Sequence, residues 1–216
     1  MTKIKFCGLQ RSSDAAHAAE VGAFYGGVIL TKSIRQVTPG DAREIFNAAP
    51  ELKRVGVVGR ESVSRIIRSA ERAELDVLQL HRHLSADECE QLREEFDGEI
   101  WAVLGIDAET SELSESWKSI ADSVDALLLD TSVRGKSGGT GRAFDWDSIA
   151  SRAIEIGRDI PIVLAGGLNP DNVARAISTL HPAVVDVSSG VETAPGIKSP
   201  EMMTAFARAV ASASIV

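Results

Sequence analysis

The sequence predicts an α/β protein that folds as a single (β/α)8 barrel. Eight short apolar runs, rich in β-branched residues, recur along the chain with amphipathic helical stretches between them. Strict alternation of strand and helix implies parallel strands joined by right-handed crossovers. Eight such units within 216 residues favour a closed barrel, and an open doubly wound sheet is the alternative.

The eight predicted strands are spread over the whole chain. They run from Lys3 to Cys7, Phe24 to Leu30, Arg54 to Val58, Val77 to Leu80, Ile100 to Leu104, Ala126 to Asp130, Ile160 to Ala165 and Val184 to Val187. No linker rich in proline, serine or charge interrupts this series. We therefore expect residues 1–216 to form one domain.

Helix boundaries are marked by residues that satisfy free backbone groups. The clearest starts combine a capping oxygen with a proline that can take the first helical position. They are Thr38-Pro39, Asn169-Pro170 and Ser199-Pro200. Ser85 and Glu88 have the spacing of a capping box. Gly22 stands where a left-handed residue would end a helix over Asp14 to Val21.

Charge and composition exclude several classes of protein. The 31 acidic residues outnumber the 23 basic ones, and the charge of −8 is spread along the chain, so nucleic acid is not an expected partner. No segment approaches the roughly 20 apolar residues of a membrane span, and residues 1–13 contain no apolar stretch long enough to predict a signal peptide. Cys7 and Cys89 have no CxxC spacing and no HExxH motif occurs, so we expect a cytoplasmic protein without metal or cofactor.

Two loops at the predicted active face have the composition of a phosphate site. Gly166 and Gly167 follow the seventh strand, and Ser189 and Gly190 follow the eighth. Glycines let backbone N–H groups approach an oxyanion, and barrels often bind phosphate between these two loops. A short helical turn starting near Ser189 would add its positive end. The alternative, that the glycines only permit tight turns, explains two consecutive loops less well.

A third glycine-rich segment, from Gly135 to Gly141, follows the sixth strand. It is longer than a simple connection between strand and helix, which favours a loop that closes over the site. A flexible linker to the next helix is the alternative. Lys136 precedes the glycine run, so the segment is not a Walker motif.

Four side chains at strand ends are candidates for chemistry and binding. Cys7 would act as a thiolate only beside positive potential, which Lys5 on the same strand face would supply; otherwise it is a small buried hydrophobe. Asp130 ends an apolar strand, where desolvation favours the protonated form of a general acid, or it caps the next loop. Arg35 would bind a carboxylate through both oxygens or lie in solvent. His81 would line the site or bond to a neighbouring loop.

Taken in order, these segments resemble the phosphoribosylanthranilate isomerase family of tryptophan biosynthesis. The resemblance spans nearly the whole chain. Its motifs are Lys5-Phe6-Cys7-Gly8, Gln79-Leu80-His81, Asp130 followed by Gly138-Gly139-Thr140-Gly141, Leu164-Ala165-Gly166-Gly167-Leu168-Asn169-Pro170 and Asp186-Val187-Ser188-Ser189-Gly190-Val191-Glu192.

The resemblance implies an Amadori rearrangement of a small phosphorylated aminosugar without a cofactor. By this likeness Asp130 is the general acid and Cys7 the general base, and the two roles support each other as a pair. Arg35 contacts the anthranilate carboxylate. The substrate-binding residues would also include His81, Gly139 and the glycine loops Gly166-Gly167 and Ser189-Gly190. Either a monomer or a homodimer is expected.

The chain departs from the family pattern at Phe6, Ile34 and Arg82, which bears on the substrate pocket. These departures could signal a preference for the related aminoimidazole sugar of histidine biosynthesis. By family resemblance, that reaction typically uses a pair of aspartates, whereas in this chain Cys7 occupies the position of the first aspartate. A barrel that binds sugar phosphate without turnover and an indole-glycerol-phosphate synthase are further alternatives. Both proposed proton-transfer residues are present in this chain, which argues against the first alternative. The second uses a lysine and glutamate set that cannot be placed in this sequence.

Overall fold

The structure, a computed structural model, describes residues 1–81, 85–107, 115–133, 136–137 and 145–213. Its centre is a barrel of eight parallel strands. The strands in chain order are β1 (Lys3–Phe6), β2 (Tyr25–Ile29), β3 (Lys53–Val58), β4 (Val77–Leu80), β5 (Glu99–Asp107), β6 (Ala126–Val133), the short β7 (Lys136–Ser137), β8 (Ile162–Leu164), β9 (Val184–Val187), β10 (Glu192–Ala194) and β11 (Ile197–Lys198).

Hydrogen bonding closes the sheet on itself. Strands β1 to β6 pair in sequence order, β8 and β9 continue the series, and β9 returns to β1 in parallel from Lys3↔Val184 to Phe6↔Val187. Strand β7 pairs antiparallel with the end of β6, and β10 and β11 form a separate hairpin. The predicted (β/α)8 TIM barrel is confirmed, and the open sheet is excluded because no parallel edge is left between β9 and β1.

The strand boundaries follow the sequence pattern closely. Strands β4 and β9 match the prediction residue for residue. Strands β5 and β6 are longer than predicted because their ladder continues to the pair Asp107↔Ser132, beyond the apolar run. Backbone hydrogen bonds between strands do not require apolar side chains, so hydropathy underestimates both ends.

Seven α-helices surround the barrel in the described part of the chain. They are α1 (Ser12–Glu20), α2 (Pro39–Asn47), α3 (Val63–Ala73), α4 (Ala86–Glu95), α5 (Trp146–Ile156), α6 (Val173–Leu180) and α7 (Pro200–Ala213). Between β5 and β6 the described residues form 3-10 helices, Glu115–Ser119 and Ala121–Ser123, in place of the expected amphipathic helix. In the described ranges, no helix is both long and apolar enough to cross a membrane.

Most predicted helix boundaries are confirmed. Thr38 and Ser85 both accept a hydrogen bond from a backbone N–H in complete capping boxes. Gly22 has φ +84°, a left-handed conformation that glycine adopts without strain. Helix α7 begins at Pro200 after Ser199, as predicted.

The predicted start of α6 at Asn169-Pro170 is wrong. The helix begins at Val173. The Asn169 side chain instead accepts hydrogen bonds from the N–H groups of Asp171 and Asn172, at 2.9 and 3.2 Å. This Asx turn competes with helix initiation, and it lengthens the loop that follows β8.

Side chains alternate between two cores along each strand. Outward residues pack against the helices, whereas inward residues fill the barrel, among them Tyr25, Val55, Trp101 and Leu128. Near the carboxyl ends of the strands, inward positions on several strands become polar. These residues are Lys5, Gln79, Asp130 and Asp186, and all four are buried. The barrel therefore has a polar layer directly beneath its active face.

Candidate active site

A cavity of about 270 Å³ opens at the carboxyl ends of the strands. Its walls come from β1 to β4, β6, β8 and β9 and the loops after them. The lining residues are Cys7, Ile29, Thr31, Lys32, Ser33, Arg35, Val57, Gln79, His81, Leu128, Asp130, Ala165, Gly166, Gly167, Leu168, Asp186, Val187, Ser188, Ser189 and Gly190. Every candidate from the sequence except Gly139 thus faces one cavity, and Gly139 lies outside the described residues.

Cys7 is held rigidly at the base of this cavity. Its backbone N–H donates to the carbonyl of Val187 at 2.9 Å, directly beyond the β1–β9 ladder. Burial raises the pKa of the Cys7 thiol and Asp186 adds to the rise, while Lys5 and Lys198 oppose it. The positive potential expected from Lys5 is present, but burial outweighs it. Cys7 therefore rests as a thiol.

Beneath Cys7, Lys5 forms an ion pair inside the barrel. Its Nζ lies 2.9 Å from Oδ2 of Asp186, and its side chain is 0% exposed. The space for this side chain exists because residue 27 is glycine: a Cβ there would lie 3.0 Å from Cε and 3.1 Å from Nζ of Lys5. Two residues on neighbouring strands thus share one buried charge pair below the thiol.

Asp130 and His81 meet on another wall of the cavity. Asp130 extends inward from β6 and is buried. The Nε2 atom of His81 lies 3.6 Å from Oδ2 of Asp130, within ion-pair range but too long for a hydrogen bond. The backbone N–H of His81 donates to the Val58 carbonyl at 2.8 Å. Of the two hypotheses for His81, lining the cavity is the one that the structure favours.

The glycine loops after β8 and β9 form a cradle of backbone donors. Gly166 and Gly167 have φ of +86° and +69°, conformations that a residue with a Cβ rarely adopts. Ser189 starts a 3-10 helix, Ser189–Val191, where the short turn was predicted. The N–H groups of Gly166, Gly167, Ser189 and Gly190 donate to no acceptor in the described part of the chain. They are available to an anion in the cavity.

Close contact between the two loops depends on Gly190. A Cβ at this position would clash with the backbone carbonyl of Leu168 in the loop after β8. The Asn172 side chain braces that loop by donating to the Gly167 carbonyl at 2.9 Å. The cradle is therefore a packed unit whose shape is fixed before any ligand binds.

Arg35 is already paired with a carboxylate of the protein. Its Nε and Nη2 do make a paired hydrogen bond to a carboxylate, but the carboxylate is that of Glu192, with both distances 2.7 Å. Nη1 donates to no group among the residues that the structure describes. A ligand carboxylate can therefore meet one edge of the guanidinium while Glu192 keeps the other.

Lys198 completes this ion network, and no sequence pattern pointed to it. Its Nζ donates to Oε1 of Glu192 at 2.8 Å and to the Ser188 carbonyl at 3.0 Å, and its side chain is wholly buried. An isolated lysine before a helix is usually a surface residue. The hairpin formed by β10 and β11 is what places Lys198 opposite Glu192.

The chain departs from the family pattern at three residues, and the two that the structure describes lie away from the cavity. Phe6 is buried on the outer side of β1 and packs on Phe206, with ring centroids 5.9 Å apart. Ile34 is 69% exposed and does not line the cavity. Arg82 falls outside the described residues. Neither Phe6 nor Ile34 therefore alters the walls of the pocket.

Comparison with known proteins places the chain in a family. A model of N-(5'-phosphoribosyl)anthranilate isomerase matches residues 4–209. The chain belongs to the N-(5'-phosphoribosyl)anthranilate isomerase family. An isomerase of that name from Haloferax volcanii is 37% identical over 217 residues, covering 99% of this chain and 95% of the relative. One from Methanopyrus kandleri is 35% identical and covers 98% and 100%.

Solved isomerases of this family share the fold. The enzyme from Thermotoga maritima superposes with a TM-score of 0.84 at 32% identity, covering 98% of this chain and 100% of that one. A second solved isomerase, in complex with reduced 1-(o-carboxyphenylamino)-1-deoxyribulose 5-phosphate, superposes with a TM-score of 0.81 at 30% identity and has the same coverage. The chain is accordingly an intramolecular isomerase of tryptophan biosynthesis, a phosphoribosylanthranilate isomerase by family, and its substrate is a small molecule.

The ion network of this isomerase predicts a loss of stability in acid. Burial by itself would raise the pKa of Glu192, but hydrogen bonds from Arg35 and Lys198 lower it from 4.5 to about 2. A depressed pKa means stability that is complete above about pH 4.5 and is lost as the pH falls toward about 2. In Glu192→Gln the free energy of unfolding should therefore depend less on pH in this window than in the wild type.

Urea denaturation at several pH values between these limits measures this difference. Glu51→Gln, which removes an exposed carboxylate, is the matched control and should follow the wild type. Parallel curves for wild type and Glu192→Gln would show that the network does not stabilise the fold.

Proposed function

We propose that Cys7 and Asp130 are the base and the acid with which this isomerase converts N-(5'-phosphoribosyl)anthranilate to 1-(2-carboxyphenylamino)-1-deoxyribulose 5-phosphate. The observation that carries the proposal is their placement: a thiol and a carboxyl from different strands line one cavity, with the glycine loops beside them. An Amadori rearrangement needs one group to protonate a ring oxygen and another to remove a proton from carbon.

Asp130 has the surroundings of a proton donor. It is buried on the inward side of β6 and lines the cavity, so its carboxyl can reach the ring oxygen of a sugar bound there. In the first step it protonates the ribosyl ring oxygen, the C1′–O bond breaks, and a Schiff base forms with the anthranilate nitrogen. His81, 3.6 Å away, limits the orientations open to the carboxyl.

Cys7 acts in the second step. As a thiolate it takes the proton from C2′ of the Schiff base, whose electrons shift to give an enolamine. The enolamine then tautomerises to the ketone. A thiol held by the β1–β9 ladder is suited to this step because its sulfur is fixed against the cavity.

Both ends of the substrate are anionic, and the cavity has a partner for each. The phosphate binds the N–H groups of the loops after β8 and β9, including those of Gly167 and Gly190. The anthranilate carboxylate binds Arg35 through its remaining N–H edge. These fixed donors overcome the charge of −8 locally, and two anchors hold the labile carbons between Cys7 and Asp130.

Three further properties complete the proposal. Gly139, which lies outside the described residues, belongs to the substrate-binding set that the family resemblance implies. The protein works in the cytoplasm, where the reactions of amino-acid biosynthesis take place. It is a monomer or a homodimer, and the Thermotoga maritima relative is described as dimeric. Sedimentation or light scattering of the purified chain distinguishes the two assemblies.

Asp130→Asn and Cys7→Ser should each abolish most turnover. The amide keeps the shape of Asp130 but donates no acidic proton, and a hydroxyl is a far weaker base than a thiolate. We expect kcat to fall by about 10²- to 10⁴-fold in each variant. Loss of fluorescence of freshly generated phosphoribosylanthranilate measures the rate.

Matched controls separate chemistry from folding. Cys89→Ala removes the other buried cysteine, on α4, and Asp125→Asn changes an aspartate that precedes β6 at the opposite end of the barrel. Both should retain wild-type kcat. Unimpaired turnover in Cys7→Ser and Asp130→Asn, or none in the wild type, would defeat the proposal.

Gly190→Ala tests the phosphate cradle. The new Cβ would push the two loops apart at the Leu168 carbonyl. We expect KM to rise about tenfold or more, the equivalent of one hydrogen bond to a charged group, with a smaller change in kcat. Gly157→Ala, at the end of α5 with negative φ, is the control. Equal KM values for Gly190→Ala and the wild type would place the phosphate elsewhere.

A further inference from the structure

Lys5 and Asp186 form a buried ion pair beneath Cys7 inside the barrel. A wholly buried lysine is costly unless it is paired, and Lys5 is paired with Asp186 at 2.9 Å. Lys5 is also the neighbour of Cys7 on the same inward face of β1. One cation thus lies between a carboxylate and a thiol, both of which can carry a negative charge.

Release of the Cys7 proton to solvent is energetically unfavourable. Release to water would leave a net negative charge in the group formed by Cys7, Lys5 and Asp186, and burial opposes such a charge. Transfer within the group leaves the net charge at zero. Asp186 is able to receive the proton because its Oδ2 already accepts a hydrogen bond from Nζ of Lys5 at 2.9 Å. Its Oδ1 is buried and accepts no hydrogen bond within the described ranges, so the carboxylate charge has few donors to stabilise it.

We propose that Cys7, Lys5 and Asp186 share one mobile proton, which moves to Asp186 when Cys7 becomes the thiolate base. In one concerted step Nζ of Lys5 passes a proton to Oδ2 of Asp186, and the lone pair that this frees on Nζ takes the proton of Cys7 as the S–H bond breaks. Lys5 stays positively charged throughout. Lys5 and Asp186 are positioning residues in this relay, which presupposes the proposed role of Cys7 as base.

The pKa directions of the three groups agree with this order of events. Burial raises the pKa of Asp186, and Lys5 offsets only part of the rise. Burial alone would lower the pKa of Lys5, but Asp186 and Cys7 raise it above its ordinary value. Protonated Asp186 beside charged Lys5 and a thiolate is therefore a reachable state.

Other charged groups around Cys7 do not take this proton. Lys198 on β11 and Arg35 after β2 are cations already bound to Glu192. Once Asp130 on β6 has given its proton to the ring oxygen, its negative charge raises the pKa of Asp186 and favours protonation there. His81, after β4, lies beside Asp130. Among the described residues Asp186 is the carboxylate bonded to the lysine next to the thiol.

Alkylation of Cys7 by iodoacetamide tests the relay without turnover. In a Cys89→Ala background Cys7 is the only thiol, and intact mass gives the rate. An ordinary thiol reacts about tenfold more slowly for each pH unit below its pKa. A shared proton predicts a different profile: between about pH 5 and about pH 7 the rate should reach a plateau, because internal transfer is independent of pH.

Two variants should abolish this plateau. Lys5→Met removes the cation that stabilises the thiolate, and Asp186→Asn removes the proton acceptor. At about pH 6 both should react about tenfold more slowly than the wild type, with the slope of an ordinary thiol. Lys53→Met, another inward lysine that is paired with Glu99 at the far end of the barrel, should keep the plateau.

The outcomes separate the relay from simpler roles. A wild-type profile without a plateau, or a plateau that persists in Asp186→Asn, overturns the relay. Each variant is an independent test, so failure of one to fold leaves the other decisive. A merely structural role for Lys5 would lower stability without changing the profile. A failure of the proposed base role would be seen separately: Cys7→Ser would retain turnover, while the Cys89→Ala protein with Cys7 intact would still show the alkylation plateau.

Discussion

Pairing between β1 and β9 is the contact on which the site depends. It joins the start of the chain to the last strand of the barrel, and its register sets Lys5 opposite Asp186. The same ladder leads into the hydrogen bond that fixes Cys7. Because the strands are parallel, their carboxyl ends meet on one face. The thiol of Cys7 and the glycine loop that contains Gly190 therefore become neighbours although they are far apart in the chain.

Local sequence patterns were sufficient for the fold and for much of the site. Period-two alternation marks inward positions, and the carboxyl end of a strand marks the active face, so Cys7 and Asp130 were predictable as residues of one cavity. Positive φ at Gly166 and Gly167 explains why glycine occupies the loop after β8. These features are readable because each depends on neighbours in the chain.

The remaining features depend on contacts between distant segments. Arg35 and Lys198 converge on Glu192 only after the barrel closes and the β10–β11 hairpin forms. No local pattern distinguishes such a buried lysine from a solvated one. The start of α6 was missed for a different reason. Asn169 followed by Pro170 is compatible with either a helix start or an Asx turn, and the structure forms the Asx turn.

A crystal structure with reduced 1-(o-carboxyphenylamino)-1-deoxyribulose 5-phosphate, the compound bound to one solved relative, tests the central claim most directly. The account predicts that the sugar chain lies between Sγ of Cys7 and the carboxyl of Asp130, with the phosphate against Gly167 and Gly190. A phosphate bound elsewhere, or a sugar chain beyond hydrogen-bond reach of both groups, would contradict it.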